Sequence, residues 1–251
     1  MALANIVQTE LTPPQPQSHW ALFLDIDGTL IDLAATPADV VIPPELAMLL
    51  RGAQGALDGA LALVSGRTIA MIDAVLAPMA LILPCAGEHG AILRLSDGSL
   101  HIPPDSYKIS QELYDAACAA TQGWAGVIVE QKNFGLTLHY RQAPAHARNV
   151  HALAERLLQK APPGFEVLPA SMALELRHCA LNKGYAVERF MTQPPFMGRM
   201  PVFVGDDLTD EDGMRAASRL GGFGLQVGRD FGGRTENVRR WLATIGSIQK
   251  G

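Results

Sequence analysis

The sequence predicts an α/β protein with two parts. One is a Rossmann-like core with a parallel sheet, assembled from both ends of the chain. The other is a separate α+β domain inserted between them. Three observations carry this reading. Short apolar runs alternate with helical segments toward both ends of the 251 residues. Polar clusters close several of these runs at their C-terminal ends. Between about residues 104 and 179 the pattern changes to helix, hairpin, helix, hairpin.

Residues 1 to 18 contain Pro13, Pro14 and Pro16 and read as a flexible N-terminal arm. The arm has no basic leader followed by a long apolar run, so no targeting segment is expected. Trp20 to Ile26 has the length of a buried strand and runs into Asp25-Ile26-Asp27-Gly28-Thr29. Pro43 to Leu50 reads as a helix opened by proline. Ala60 to Val64 is a second buried strand, closed by Ser65-Gly66-Arg67, and Ile69 to Leu76 a helix. Leu81 to Leu83 is a third apolar run, followed by Cys85-Ala86-Gly87-Glu88-His89-Gly90. Asp97-Gly98, flanked by Ala91 to Leu95 and Ser99 to Ile102, signals a hairpin.

Pro103-Pro104 marks the change of pattern. The insert is expected to hold helices over about 106–121 and 145–160. Its strands are expected at 126–130, 134–140, 165–168 and 172–177. After Cys179 the alternation returns. Lys183 to Met191 is helical, and Pro201 to Val204 is a strand ending in Gly205-Asp206-Asp207. Thr209 opens a helix, with Asp212 as the acidic member of a capping box. Gly224 to Val227 and Glu236 to Ile245 are the last strand and helix.

Composition narrows the function. A net charge of -5 argues against a nucleic-acid partner, which calls for a basic surface. It leaves room for a small phosphorylated substrate. Three cysteines, Cys85, Cys118 and Cys179, make no disulfide framework and contain no Cys-x-x-Cys pair; they read as reduced, partly buried thiols of a cytoplasmic protein. No apolar run reaches the length of a membrane span.

In parallel α/β sheets ligands bind beyond the carboxyl ends of the strands. Asp25 with Asp27, Ser65, and Asp206 with Asp207 fall at such positions, and Lys183 opens a helix. Two acids two residues apart point to one side of extended chain and repel each other, so one tends to hold a proton unless a cation intervenes. That pairing offers a nucleophile and an acid; it also fits a solvated turn. Asp206 and Asp207 present oxygen ligands for a hard cation such as magnesium. The alternative, an acidic helix start favoured by the helix dipole, suits Asp210 and Glu211 better than Asp206. Ser65 and the amides around Gly66 suit a phosphate, or a helix cap. Lys183 supplies a point charge, or is an exposed helix lysine. An EF-hand is excluded by spacing: the glycine comes directly after the second acid, and no glutamate stands at the twelfth position.

Taken together, Asp25-Ile26-Asp27-Gly28-Thr29, Ser65-Gly66-Arg67, Lys183 and Gly205-Asp206-Asp207 resemble the four motifs of the haloacid dehalogenase superfamily of phosphotransferases, from residue 22 to about residue 212. A narrower resemblance covers nearly the whole chain. Gly205-Asp206-Asp207-Leu208-Thr209-Asp210-Glu211, Leu138-His139-Tyr140-Arg141 and Ala86-Gly87-Glu88-His89-Gly90 resemble segments of the trehalose-6-phosphate phosphatases. The resemblance implies a superfamily core with a cap of the C2B type that closes over the substrate. It implies Asp25 as nucleophile, forming an aspartyl-phosphate, and Asp27 as proton donor and then base. Magnesium is expected on the Asp25 carboxylate, the Asp27 carbonyl and the Asp206 carboxylate, with Asp210 orienting a bound water. Ser65 and Lys183 hold the phosphoryl group, and Gly66 and Arg67 are expected with Ser65 among the substrate-binding residues. Glu130, Lys132 and Glu175 contact the sugar, with Arg177 and Glu88 as weaker candidates; His139 and Arg141 receive no role. The implied reaction is hydrolysis of trehalose 6-phosphate in trehalose biosynthesis. Another sugar-phosphate phosphatase and a silent sugar-phosphate sensor are the alternatives, and the intact acids and lysine speak against the sensor.

Overall fold

A computed structural model describes residues 13–34, 39–170 and 172–248. The chain divides into two compact units, residues 1–100 with 183–251, and residues 101–182.

The first unit is built on a seven-stranded sheet. In chain order its elements are β1 (Trp20–Leu24), α1 (Leu46–Ala56), β2 (Leu61–Val64), α2 (Ile69–Leu76), β3 (Cys85–Gly87), β4 (Ile92–Arg94) and β5 (Leu100–His101). After the second unit come α5 (Lys183–Met191), β10 (Met200–Gly205), α6 (Asp210–Arg219), β11 (Phe223–Gln226), α7 (Val227–Asp230) and α8 (Thr235–Gly246). The sheet order is β11-β10-β1-β2-β3-β4-β5. Its first five strands are parallel and β4 returns antiparallel to β3, so the Rossmann-like arrangement is present with an antiparallel extension. The residues of β1 and β2 are buried throughout, as expected for strands covered on both faces. Register puts Leu24 beside both Val204 and Leu63, which brings the ends of β1, β10 and β2 level.

Three local expectations need correction. The third apolar run does not form the strand: Ile82 is exposed, and β3 begins after Pro84, at Cys85, where Leu63 pairs with it. The first helix starts at Leu46 and runs on to Ala56, past two glycines. The Thr209 capping box does not form. The Thr209 hydroxyl donates to Asp207 Oδ1, and that oxygen also accepts from the amides of Thr209 and Asp210. A carboxylate ahead of the helix takes the capping role from the hydroxyl.

Of the expected arm, residues 1–12 lie outside the described residues. The remainder is tied down where Trp241 Nε1 donates to the Pro14 carbonyl. Cys85 is buried, Cys118 half-buried and Cys179 exposed, and all three are free thiols.

The second unit comprises α3 (Gln111–Thr121), β6 (Ile128–Gln131), β7 (Gly135–His139), α4 (Ala147–Lys160), β8 (Phe165–Ala170) and β9 (Ala173–His178). Its antiparallel sheet has the order β6-β7-β9-β8. The helix expected from residue 106 begins at Gln111, because Ser110 caps it by accepting from the Leu113 amide. Leu136, Leu138, Leu174 and Leu176 pack with α3 and α4 in a core of their own. Strand alternation then gives Thr137, His139, Glu175 and Arg177 to the other side of the sheet.

Candidate active site

Asp25 follows β1 directly, and its amide donates to the Val204 carbonyl, so the sheet fixes its backbone. Lys183, the first residue of α5, is 2% exposed, which removes the reading as a surface lysine. Its Nζ donates to Asp25 Oδ1 at 2.8 Å and to Asp210 Oδ1 at 2.6 Å. Burial opposes the ammonium charge, but the Asp25 and Asp210 carboxylates outweigh it and hold Lys183 above the ordinary lysine range. The same burial, reinforced by Asp210, pushes Asp25 well above the ordinary carboxylate range against the pull of Lys183.

Asp210 is the largest departure from expectation. It does open α6, but as a fully buried residue rather than an exposed acid favoured by the helix dipole. Oδ1 accepts from Lys183, while Oδ2 accepts from the amides of Asp206 and Asp207. Gly205 makes this possible, because a Cβ there would fall 2.2 Å from Asp210 Cγ. Glu211 keeps the solvated role and pairs with Arg215.

Asp206 approaches from β10. Gly28, with φ of +77°, leaves the space it fills: a Cβ at Gly28 would lie 2.1 Å from Asp206 Oδ2. Oxygens of Asp25, Asp206 and Asp210 lie within 4.8 Å of one another. Burial, then Asp210 and Asp207, push the Asp206 carboxyl up to about 6. Three carboxylates thus face one ammonium, a charge imbalance that a hard cation with oxygen ligands fits. Both Asp210 oxygens already serve the protein, which leaves Asp25 and Asp206 as the better carboxylate donors.

Asp27 turns elsewhere. Arg67 Nε donates to its Oδ2 and Arg67 Nη2 to its Oδ1, each at 2.7 Å. Arg67, read from sequence only as a substrate-binding residue, therefore grips the second acid of the pair. Ser65 is buried, and its Oγ accepts from the Arg67 amide. It does not cap α2; Thr68 does, accepting from the Met71 amide. A Cβ at Gly66 would fall 2.6 Å from the His89 ring. Glu88 is buried, and its amide donates to the Arg67 carbonyl.

The second unit carries its own polar group. Glu130 stands opposite Thr137, and Thr137 opposite Glu175, across β6, β7 and β9. Lys132 Nζ lies 3.2 Å from Glu175 Oε2, and both side chains are nearly buried. Neither is the solvent-facing residue that a bare strand pattern allows. His139, given no role from sequence, lies 2.7 Å from Glu130 Oε2, and that hydrogen bond holds Glu130 below its ordinary value. Arg141 is exposed. Arg177 pairs with Glu166. Thr137 was passed over in the sequence, yet its buried hydroxyl has no hydrogen-bond partner among the described residues. Its alternation with the flanking leucines was the available signal.

Comparisons with known proteins agree with this arrangement. The profile of the trehalose-phosphatase family matches residues 23–240. A probable trehalose-phosphate phosphatase of Sinorhizobium fredii (strain NBRC 101917 / NGR234) is 42% identical over 210 residues, covering 84% of this chain and 78% of that protein. The trehalose-6-phosphate phosphatase of Escherichia coli (strain K12) is 37% identical over 215 residues, covering 86% and 80%. Among solved structures, the C-terminal domain of the Candida albicans trehalose-6-phosphate phosphatase superposes with a TM-score of 0.74 at 19% identity, covering 93% of this chain and 94% of that one, a likeness of fold. With a profile spanning both chain segments of the core and the whole insert, the chain belongs to the trehalose-phosphatase family.

Proposed function

We propose that this chain hydrolyses trehalose 6-phosphate to trehalose and phosphate through an aspartyl-phosphate on Asp25, with magnesium as cofactor. The observation that carries the reading is the buried contact of Lys183 with Asp25 and Asp210, with Asp206 alongside. Lys183 occupies one oxygen of Asp25, and the other is assigned to attack phosphorus. As the Asp25–phosphorus bond forms, the bond from phosphorus to the sugar oxygen breaks. The departing oxygen takes a proton from Asp27. Water then attacks the phosphorus, its proton passes to Asp27, and the Asp25–phosphorus bond breaks. Lys183 and Ser65 hold the phosphoryl oxygens throughout.

Asp25 and Asp206, with the Asp27 carbonyl, would hold the magnesium. When bound, it offsets negative charge on the phosphoryl group and on the crowded acids. Glu130, Lys132 and Glu175 would select the sugar, carboxylates accepting from its hydroxyls and lysine donating. No helix among the described residues is long and apolar enough to cross a membrane. The three unbridged cysteines support a cytoplasmic setting.

The test is phosphate release from a panel of sugar phosphates, with and without magnesium, by the wild type and Asp25→Asn. The expected result is preference for trehalose 6-phosphate, loss in chelator and no turnover by the folded variant. Near wild-type turnover by Asp25→Asn, or full activity after removal of divalent ions, contradicts the mechanism.

A further inference from the structure

We infer that Arg67 is the positioning residue of the acid–base carboxylate, holding Asp27 rather than gripping the substrate's phosphate. The inference rests on the reaction proposed above and adds to it how Asp27 is aimed. Each acid of the Asp25/Asp27 pair has its own cation: Lys183 serves Asp25, and Arg67 serves Asp27. The Arg67 contact is a two-bond fork, with Nε and Nη2 both 2.7 Å from separate oxygens of one carboxylate. A planar fork fixes the orientation of the carboxylate plane as well as its distance, which a lysine does not do. It also takes up the Nε–Nη2 edge, one of the two paired donor edges with which arginine binds phosphate.

The surroundings make Arg67 the anchored member. Its amide donates to Ser65 Oγ and its carbonyl accepts from the Glu88 amide. Gly87 lets that segment approach, since a Cβ there would lie 2.8 Å from the Arg67 carbonyl oxygen. Glu88 and His89 both adopt positive φ, +51° and +56°, to follow the loop. Two successive left-handed residues other than glycine are costly, and they persist where the surroundings over-determine the chain. The Arg67 side chain is 13% exposed, whereas that of Asp27, on the turn before Gly28, is 33% exposed. An anchored backbone thus carries the less exposed guanidinium to the more accessible carboxylate, and the two-bond fork sets the plane of that carboxylate.

Arg67 remains compatible with both proton transfers. With a proton on one Asp27 oxygen, the other still accepts from Arg67. When the sugar oxygen takes that proton, the carboxylate regains both bonds. The attacking water later returns a proton to the same group, and the cycle balances.

The test uses leaving groups. Proton donation matters most for a poor leaving group and little for a good one, whereas a phosphate-binding residue matters for both. The full chain with magnesium is assayed as wild type, Arg67→Met, Arg67→Lys and Asp27→Asn on aryl and alkyl phosphates that carry no sugar. General-acid help is typically worth about 10²–10⁴-fold. Arg67→Met is expected to lose on the order of 10²-fold on alkyl esters while the burst of p-nitrophenolate from p-nitrophenyl phosphate is nearly kept. Its inhibition by inorganic phosphate should be unchanged. Arg67→Lys should show a smaller loss with the same leaving-group dependence, and adding Arg67→Met to Asp27→Asn should cost little more. A uniform loss across leaving groups, with weakened phosphate inhibition, overturns the inference and makes Arg67 a phosphate ligand; additive losses in the double variant also overturn it. Failure of the underlying reaction looks different: the wild type itself then turns over no phosphate ester.

Discussion

In the core, one buried lysine is shared by two carboxylates, with Lys183 at 2.8 Å from Asp25 and 2.6 Å from Asp210. In the insert, Lys132 meets the single carboxylate of Glu175 at 3.2 Å, and Glu130 leans on a histidine. The core cluster stands on strand ends that the parallel sheet holds level. The insert's group stands on one face of an antiparallel sheet whose other face is leucine. The contrast fits the two tasks proposed for these regions. Phosphoryl transfer needs groups that do not move as charge develops, so the core encloses them. Sugar recognition needs donors and acceptors spread over a surface, and alternation along neighbouring strands supplies that at the spacing of the sheet.

Removing a lysine from each region is the strongest way to break this comparison. Lys183→Met leaves Asp25 and Asp210 buried without their cation. Loss of one partner from a buried ion pair costs about 3–5 kcal/mol. Denaturant unfolding in chelator is expected to show a loss of that order, together with loss of turnover. A variant as stable as the wild type would show that burial of the cluster depends little on Lys183.

The insert should respond in specificity rather than in chemistry. Lys132→Ala and Glu175→Ala are expected to lower kcat/KM for trehalose 6-phosphate by about 1–3 kcal/mol per lost contact. Hydrolysis of p-nitrophenyl phosphate, which offers no sugar, should be largely kept. Equal losses on the two substrates would remove the division of labour between the regions.

His139→Ala sharpens the picture at the smallest scale. His139 supports Glu130 through one half-exposed contact. A few-fold rise in KM for the sugar substrate with kcat kept is the expected outcome, in line with the modest worth of one partly solvated hydrogen bond. A loss in kcat as large as that of a core variant would place His139 in the chemistry.

The two regions also differ in how far the sequence reveals them. Asp25, Ser65 and Asp206 carry local signals, a polar residue within two positions of the end of an apolar run, and the parallel sheet brings such ends together. The start of α5 at Lys183 was legible from the helical pattern that follows it, but the burial of Lys183 was not. The burial of Asp210 was not legible, because it depends on the missing side chain of Gly205, and acidic residues at a helix start look alike in sequence. The pairing of Arg67 with Asp27 joins residues forty apart and requires the register of β1 against β2. In the insert, Glu130, Thr137 and Glu175 become one row only when three strands are aligned, so Thr137 and His139 went unassigned.

The central claim is that Asp25 carries the phosphoryl group. Its most direct measurement is acid quenching of the enzyme during turnover of trehalose 6-phosphate, followed by peptide mass analysis. The wild type should gain the mass of one phosphoryl group on the peptide containing Asp25, and so should Asp27→Asn when p-nitrophenyl phosphate, whose leaving group needs no acid, replaces the sugar substrate. Asp25→Asn should gain none. A phosphoryl group located on any other residue, or an active enzyme that never carries one, would contradict the account.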